Sequence, residues 1–317
     1  MTQSPGSNLR LSVVIPVFNA ETTVAEAVES AWLSGADEVI VVDDGSVDDS
    51  HSVIQGLQCK HLQQVNRGAL AARLAGFDAS SGEAIIFLDA DDRLCARGVR
   101  SGLGLLADVG PDVGVVVGLM GYRRRDGYVR RREQPMSTIT TTSLLQEGYT
   151  PAPPGAIIFR RHTINALRTH EIEWLCTTQA EDYETLLRAT LVTNVALTNY
   201  LTLEYDPSGG KSLNWAGPQS VDAIRHHYGS RLGMECQHRS WLKRLQIMLI
   251  RVSMAEWGRG NNLRCLSFRL GAALVNPKLA LTYFLGKLVN AGFGSHDFDR
   301  TKTLGQRAKE QSKQRVC

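Results

Sequence analysis

The chain has 317 residues, 43% hydrophobic and 21% charged, a balance that excludes a disordered or fibrous protein and allows one large core or two modest ones. Its net charge of +3 conceals an asymmetry: Arg239 to Cys317 holds 15 Lys/Arg against 4 Asp/Glu, a balance of +11 that leaves −8 for the remainder. The six cysteines are scattered without a C-x-x-C pair, which argues against structural zinc or a disulfide framework and for free thiols in a reducing cytoplasm.

The opening residues 1–10, MTQSPGSNLR, lack the apolar core of a secretory signal and read as a disordered N-terminus. Leu11 to Asn19 is then an apolar run of strand length, and Ala20 to Leu33 repeats apolar residues at helical spacing (Val24, Ala27, Val28, Ala31). Glu38 to Val42 is a second strand, closed by Asp43-Asp44-Gly45-Ser46. A helical stretch follows over Asp48–Leu57, and a short strand over Cys59–Val65 leads through Asn66-Arg67-Gly68 into an alanine-rich helix, Ala69–Ala79. Glu83 to Leu88 is a further strand, and it ends in Asp89, Asp91 and Asp92. Strand and helix alternating on short connections predict an α/β fold with a doubly wound, mostly parallel sheet. Ligands of such sheets bind beyond the carboxyl ends of the strands, so Pro16–Asn19, Asp43–Ser46 and Asp89–Asp92 are expected to converge.

The acidic run carries the most chemistry. Carboxylates crowded at the end of a buried strand are desolvated and repel one another. A divalent cation relieves both effects, and hard oxygen ligands suit Mg2+ or Mn2+. Acidic strand ends also cap helices and solvate loops, so the run alone leaves both readings open. Beyond Arg97 the pattern is less regular. Val113–Met120 reads as a strand, Gly121–Glu133 as a basic hairpin turned on two residues at Asp126-Gly127, and Pro151–Arg161 as a turn and strand. Ala180 to Glu184 opens a helix reaching Ala189, Val195–Tyr205 is a strand, and Asp206 to Ser212 is a flexible loop. From Gln219 onward the pattern is mostly helical.

Five blocks in order, SVVIPVFNAETTVAEAVES, VIVVDDGSVDDS, VNRGALAAR, IIFLDADD and AEDYE, resemble the family 2 glycosyltransferases of GT-A fold, over about residues 11 to 212. The resemblance implies a GT-A domain at 11–215, a basic helical region at 216–317, and a nucleoside diphosphate sugar as donor, most simply a UDP-sugar. It implies that Pro16, Val17, Phe18 and Asn19 border the nucleoside, that Asp44 or Asp43 accepts from the base, and that Asn66 and Gly68 shape the loop under the diphosphate that Arg73 approaches. Leu74 departs from the family, which often has Asn there. Asp91 is expected to ligate the metal directly and Asp89 to share it or to orient the ribose, with Asp92 either behind them or a solvated loop acid. Asp182, in the acidic pair Glu181-Asp182, is the expected base, although a carboxylate at a helix start is also a simple cap. Displacement by the acceptor itself inverts the anomeric centre. No Gln-x-x-Arg-Trp block follows Asp182, so transfer of one sugar is expected, not polymerisation. Lys211, in a loop resembling the mobile loop of non-processive members, is a candidate phosphate contact or a solvated lysine.

The acceptor expected from the resemblance is a saccharide or a lipid-linked molecule, in polysaccharide or glycoconjugate synthesis. Trp241, Leu245, Met248, Leu249 and Val252 share one helical face and Lys243, Arg244 and Arg251 the other, a pattern that suits an anionic membrane surface or packing on the catalytic domain. The chain is therefore expected in the cytoplasm, peripheral on the inner face of the cytoplasmic membrane if the former holds. The hairpin arginines (Arg123, Arg124, Arg125, Arg130, Arg131, Arg132) are candidates for an anionic acceptor or headgroup, or for a charged edge that resists aggregation. Competing readings are a sugar nucleotidyltransferase, whose glycine-rich lysine loop is missing here, and a binding or scaffolding module of the same fold. No recognition motif accompanies the basic tail, so nucleic acid is not an expected partner.

Overall fold

The computed structural model describes residues 9–175, 179–208 and 216–275. The expected alternation is present in the first part: β1 (Leu11–Val17), α1 (Val24–Leu33), β2 (Glu38–Asp43), α2 (Ser50–Gln55), β3 (Lys60–Gln63), α3 (Ala69–Asp78) and β4 (Ala84–Phe87). β1, β2 and β4 are almost continuously apolar because both faces of the sheet are covered there. β1 pairs in parallel with β2 on one side (Val14 opposite Ile40) and with β4 on the other (Val14 opposite Phe87), which brings three carboxyl ends side by side. β3 closes the edge as a short, half-exposed strand. Of the N-terminal stretch, Met1 to Ser7 and Asn8 lie outside the described residues, whereas the Arg10 amide donates to the Glu83 carboxylate.

The remaining elements are β5 (Arg93–Leu94), α4 (Ala96–Asp108), β6 (Val113–Arg123), β7 (Val129–Arg131), α5 (Thr141–Glu147), a 3-10 turn (Pro154–Ala156), β8 (Ile157–Arg160), α6 (Arg161–Arg168), α7 (Glu181–Val192) and β9 (Asn194–Tyr205). They extend the sheet to nine strands in the order β3-β2-β1-β4-β8-β6-β9-β5, with β7 paired to β6. β8 runs antiparallel to both neighbours, so the sheet is mixed though mostly parallel. α4 lies flush on β9 because Gly98 has no side chain: a Cβ there would stand 2.0 Å from the Leu201 carbonyl oxygen. The hairpin turn differs from expectation. The Arg124 amide bonds to the Tyr128 carbonyl and Gly127 has φ +81°, so three residues turn the chain, with glycine taking the left-handed position.

α8 (Ala216–Arg231), α9 (Trp241–Gly258) and α10 (Asn262–Val275) complete the described chain. Asp222 of α8, 3% exposed, ties them to the sheet domain through Arg225 (3.3 Å), Arg239 (3.6 Å) and Arg244 (2.9 Å), while Arg225 and Arg239 also donate to carbonyls of residues 145–148. Arg244 thus faces inward, not the solvated face its spacing suggested. Removing one partner of such a buried group strands the others, so Asp222→Ala should destabilise the fold by about 3–5 kcal/mol in urea unfolding.

α9 also accounts for the basic hairpin. Arg124 and Arg130 stack on Trp257 (5.7 and 5.0 Å), the Arg125 amide bonds to the Gly258 carbonyl, and Arg131 and Arg132 donate to the Asn199 and Pro151 carbonyls. These arginines make structural contacts, whereas the sequence left open an anionic ligand and a charged edge. Lys211 and the loop 209–215, like the amphipathic stretch beyond Val275, lie outside the described residues.

Candidate active site

β1 ends at a turn that the Asp43–Ser46 segment receives. Asn19, at φ +53°, accepts from the Val47 amide through its Oδ1 (2.9 Å) and gives its own amide to Ser46 Oγ (3.0 Å). Asparagine tolerates this left-handed conformation better than most residues. Phe18, between buried Val17 and Asn19, is 37% exposed. Asp44 is engaged elsewhere. Its Oδ1 accepts from Gln64 Nε2 (2.7 Å) and the Arg67 amide (2.8 Å), and its Oδ2 from the Gly68 amide (2.9 Å). The carboxylate therefore shapes the exposed Asn66–Gly68 loop from below. Asp43 is fully buried, and its Oδ1 accepts from the Ser46 amide (2.9 Å).

The loop launches α3, and α3 carries Arg73 into the acidic cluster. Arg73 Nη2 reaches Asp89 Oδ1 at 2.6 Å and Nη1 reaches Glu181 Oε1 at 3.5 Å. Burial alone would favour the neutral guanidine, but Asp89, Glu181 and Asp182 outweigh it and hold Arg73 charged. One arginine thus joins the strand-end carboxylates to the start of α7. Asp92 is 1% exposed. Its Oδ1 accepts from the Asp206 amide (2.9 Å), and its Oδ2 has no hydrogen-bond partner among the described residues. Burial, and then Asp91 and Asp89, push its carboxyl well above the usual range. The hard oxygen donors crowded in this run are of the kind that a divalent cation takes.

Helix α7 begins at Ala180, a non-glycine residue at φ +68°, which aims the acidic pair at this cluster at the cost of backbone strain. Glu181 is held by Arg73. Asp182 is not, and among the described residues its hydrogen bond is to its neighbour's amide, accepted from Tyr183 (2.8 Å). Burial and then Glu181 raise its carboxyl to about 6, against an ordinary value of 3.8, despite the opposing pull of Arg73. The folded state thus resists ionisation, so the destabilising effect of the ionised group is absent below the ordinary range and complete above about pH 6. Asp182→Asn should consequently stabilise the protein on the order of 2 kcal/mol at neutral pH. The gain should vanish as pH falls toward 4, which thermal unfolding across pH would measure. Beside Asp182, an apolar pocket is lined by Leu70, Leu74, Trp174 and Thr185, so the departure at Leu74 contributes a greasy wall.

The family model described as glycosyl transferase family 2 matches residues 12–168, which span this sheet from β1 through β8 and α6. Residues 12–168 place the chain in that family. The chain is 30% identical over 179 residues to an undecaprenyl-phosphate 4-deoxy-4-formamido-L-arabinose transferase of Sodalis glossinidius, a match that covers 51% of the chain and 52% of the relative. The chain therefore spans about half the length of that curated relative. Among solved structures it shares the fold of S. aureus TarS 1-349 in complex with UDP-GlcNAc (18% identity, 88% and 92% of the two chains, TM-score 0.51). It also shares that of the mannosyltransferase PcManGT from Pyrobaculum calidifontis in complex with GDP-Man and Mn2+ (16% identity, 90% and 81%, TM-score 0.51).

Three contributors to this candidate site were not singled out from sequence. Arg123, at the end of β6, donates to the Asp91 carbonyl (2.8 Å) and lies 3.8 Å from Asp206. Glu26 of α1 pairs with Arg93, which follows the acidic run directly. The Asp206 amide donates to Asp92 Oδ1. Arg123 carried a signal only as one of six arginines, and nothing distinguished it from its neighbours. Among the described residues no helix is long and apolar enough to cross a membrane.

Proposed function

We propose that this glycosyltransferase moves one sugar, a hexose or N-acetylhexosamine, from a nucleoside diphosphate sugar to an acceptor hydroxyl with inversion. A UDP-sugar is the preferred donor, given the complexes of its structural neighbours, and the acceptor is a saccharide or lipid-linked molecule of polysaccharide or glycoconjugate synthesis. The observation that carries the reading is the pair Arg73–Asp89 holding the strand-end acids beside a carboxyl raised to about 6 at Asp182.

In this reading Phe18 and Asn19 border the nucleoside with Pro16 and Val17, Asp43 supports the turn beneath the base, and Asp44 holds Asn66 and Gly68 under the diphosphate. Asp91 and Asp89 would hold the cation, which would supply charge neutralisation for the leaving diphosphate. Arg73 keeps Asp89 in place and adds positive charge at the same end. Asp182 removes the acceptor proton as the hydroxyl attacks, a task for which a value near the working pH is well suited. The attack comes from the face opposite the leaving group, so an α-linked donor yields a β linkage.

A lipid-linked acceptor is supported by the Sodalis relative and by α10, where Leu263, Leu266, Leu270 and Leu274 form an exposed stripe beside Arg264 and Arg269. Such a face suits the anionic surface of the cytoplasmic membrane. The test is a screen of UDP-, GDP- and TDP-sugars with Mn2+, scoring donor binding and metal-dependent donor hydrolysis. Binding of one donor class supports the proposal, and binding of none sinks it. Flotation with anionic liposomes, with and without residues 239–317, tests the membrane part separately.

A further inference from the structure

A second constellation of ligand atoms lies on the other flank of the sheet. Asp43 Oδ2, His51 Nδ1 and His61 Nε2 all lie within 4.8 Å of one another, with Asp43 Oδ2 and His51 Nδ1 at 3.7 Å. The topology explains the meeting. His61 pairs with Val41 in the parallel β2–β3 ladder, so it shares a sheet face with Asp43 two residues on, and His51 comes down onto that face from the first turn of α2. The two rings stand 5.0 Å apart.

None of these three atoms has a hydrogen-bond partner among the described residues, although each is shielded from solvent. Asp43 is fully buried, so its second oxygen is aimed into the space between the imidazoles with nothing to accept from. Buried polar atoms are rarely left so, and three at one point call for a ligand common to all. Its chemistry follows from the donor set. Two imidazoles and one carboxylate suit zinc or a similar late transition metal, and not the Mg2+ or Mn2+ that an all-oxygen site takes. Ligand atoms about a tetrahedral zinc sit about 3.3 Å apart. Closing from at most 4.8 Å moves each atom by less than about 1 Å, within reach of two partly exposed histidine side chains.

We infer that Asp43, His51 and His61 form a transition-metal site, zinc by preference, distinct from the cation site at Asp89 and Asp91. It has three protein ligands and a fourth position for water or another donor. β1 lies between β2 and β4, so the two sites are separated by about two strand spacings, roughly 10 Å. The consequence concerns the donor pocket. Asp43 Oδ1 holds the Ser46 amide, and Ser46 Oγ holds Asn19, so a metal on Oδ2 stiffens the turn that borders the nucleoside. The inference about the metal stands on the three ligand atoms alone. Only the consequence for the pocket rests on the proposed function.

The test is titration of the chelator-stripped full chain, prepared without a histidine tag, with Co2+ read by its d–d absorption and with Zn2+ read by competition against a chromophoric chelator. With excess Mg2+ present to occupy the site at Asp89 and Asp91, the wild type should bind one equivalent with a tetrahedral-type Co2+ spectrum. His51→Ala and His61→Ala should each weaken binding at least tenfold, and Asp91→Asn should leave it unchanged. His51 is partly exposed, so its variant is expected to fold, and circular dichroism checks this. The inference is overturned if the wild type binds no more Co2+ than the His51→Ala/His61→Ala double variant, or if the signal is lost with Asp91→Asn instead. The trio would then be an ion pair between Asp43 and an imidazolium and nothing more.

Discussion

Asp182→Asn is expected to lower kcat for transfer to a hydroxyl acceptor by about 10²–10⁴-fold while leaving donor affinity within about threefold. The asparagine keeps the shape of the side chain and can still accept the Tyr183 amide, so the start of α7 should not move. What it removes is proton acceptance. Glu181 is a poor substitute, since its carboxylate is paired with Arg73 at 3.5 Å. The size of the loss also identifies the acceptor. A lipid phosphate is already largely ionised at neutral pH and needs no base. Loss of less than about tenfold with a polyprenyl phosphate acceptor, alongside a large loss with a hydroxyl acceptor, would assign the former as the physiological chemistry. Full transfer to a hydroxyl by Asp182→Asn would contradict the role given to this residue.

Asp91→Asn is expected to act at the other end of the donor. Neutralising one carboxylate of the run weakens cation binding and, with it, binding of the diphosphate, by at least tenfold in the presence of Mn2+. Transfer should fall by about 10²–10³-fold, because charge on the leaving group is then less well met. Calorimetric titration with UDP separates the two parts. The wild type should gain affinity on adding Mn2+, and the variant should gain little. The same substitution should lower the upward pressure on buried Asp92, whose carboxyl Asp91 helps to raise. Equal Mn2+ enhancement in both proteins would remove Asp91 from the cation site.

The first part of the fold was legible because its rules are local. β1, β2 and β4 are almost continuously apolar, their connections are short, and parallel strands with helical crossovers leave few topologies. The convergence of Asp43–Ser46 with Asn19, and of Arg73 with Asp89 and Glu181, follows from that topology. The second part was less so. β8 enters the sheet antiparallel between β4 and β6, a choice set by contacts between residues far apart in sequence, which no local pattern encodes. The hairpin arginines show the same limit. Six like charges suggested a ligand or a charged edge, and neither reading foresaw that Trp257, more than 120 positions downstream, stacks on Arg124 and Arg130. Asp44 was one of two candidates for the base of the nucleotide, and its three donors from the 64–68 segment were invisible until β3 and its following loop were placed. His51 and His61 escaped for a related reason. Ten residues apart on a helix and a strand, they match no metal motif, and only the β2–β3 register brings them to Asp43.

The central claim is that a carboxyl at the start of α7, lifted by burial and by Glu181, serves as the base of sugar transfer. The pH dependence of kcat/KM tests it most directly, since that quantity reports the free enzyme. The account predicts that transfer to a hydroxyl acceptor falls tenfold per pH unit on the acid side of a midpoint at about 6, the side on which Asp182 is protonated. A profile that stays flat down to the ordinary carboxylate range would contradict it.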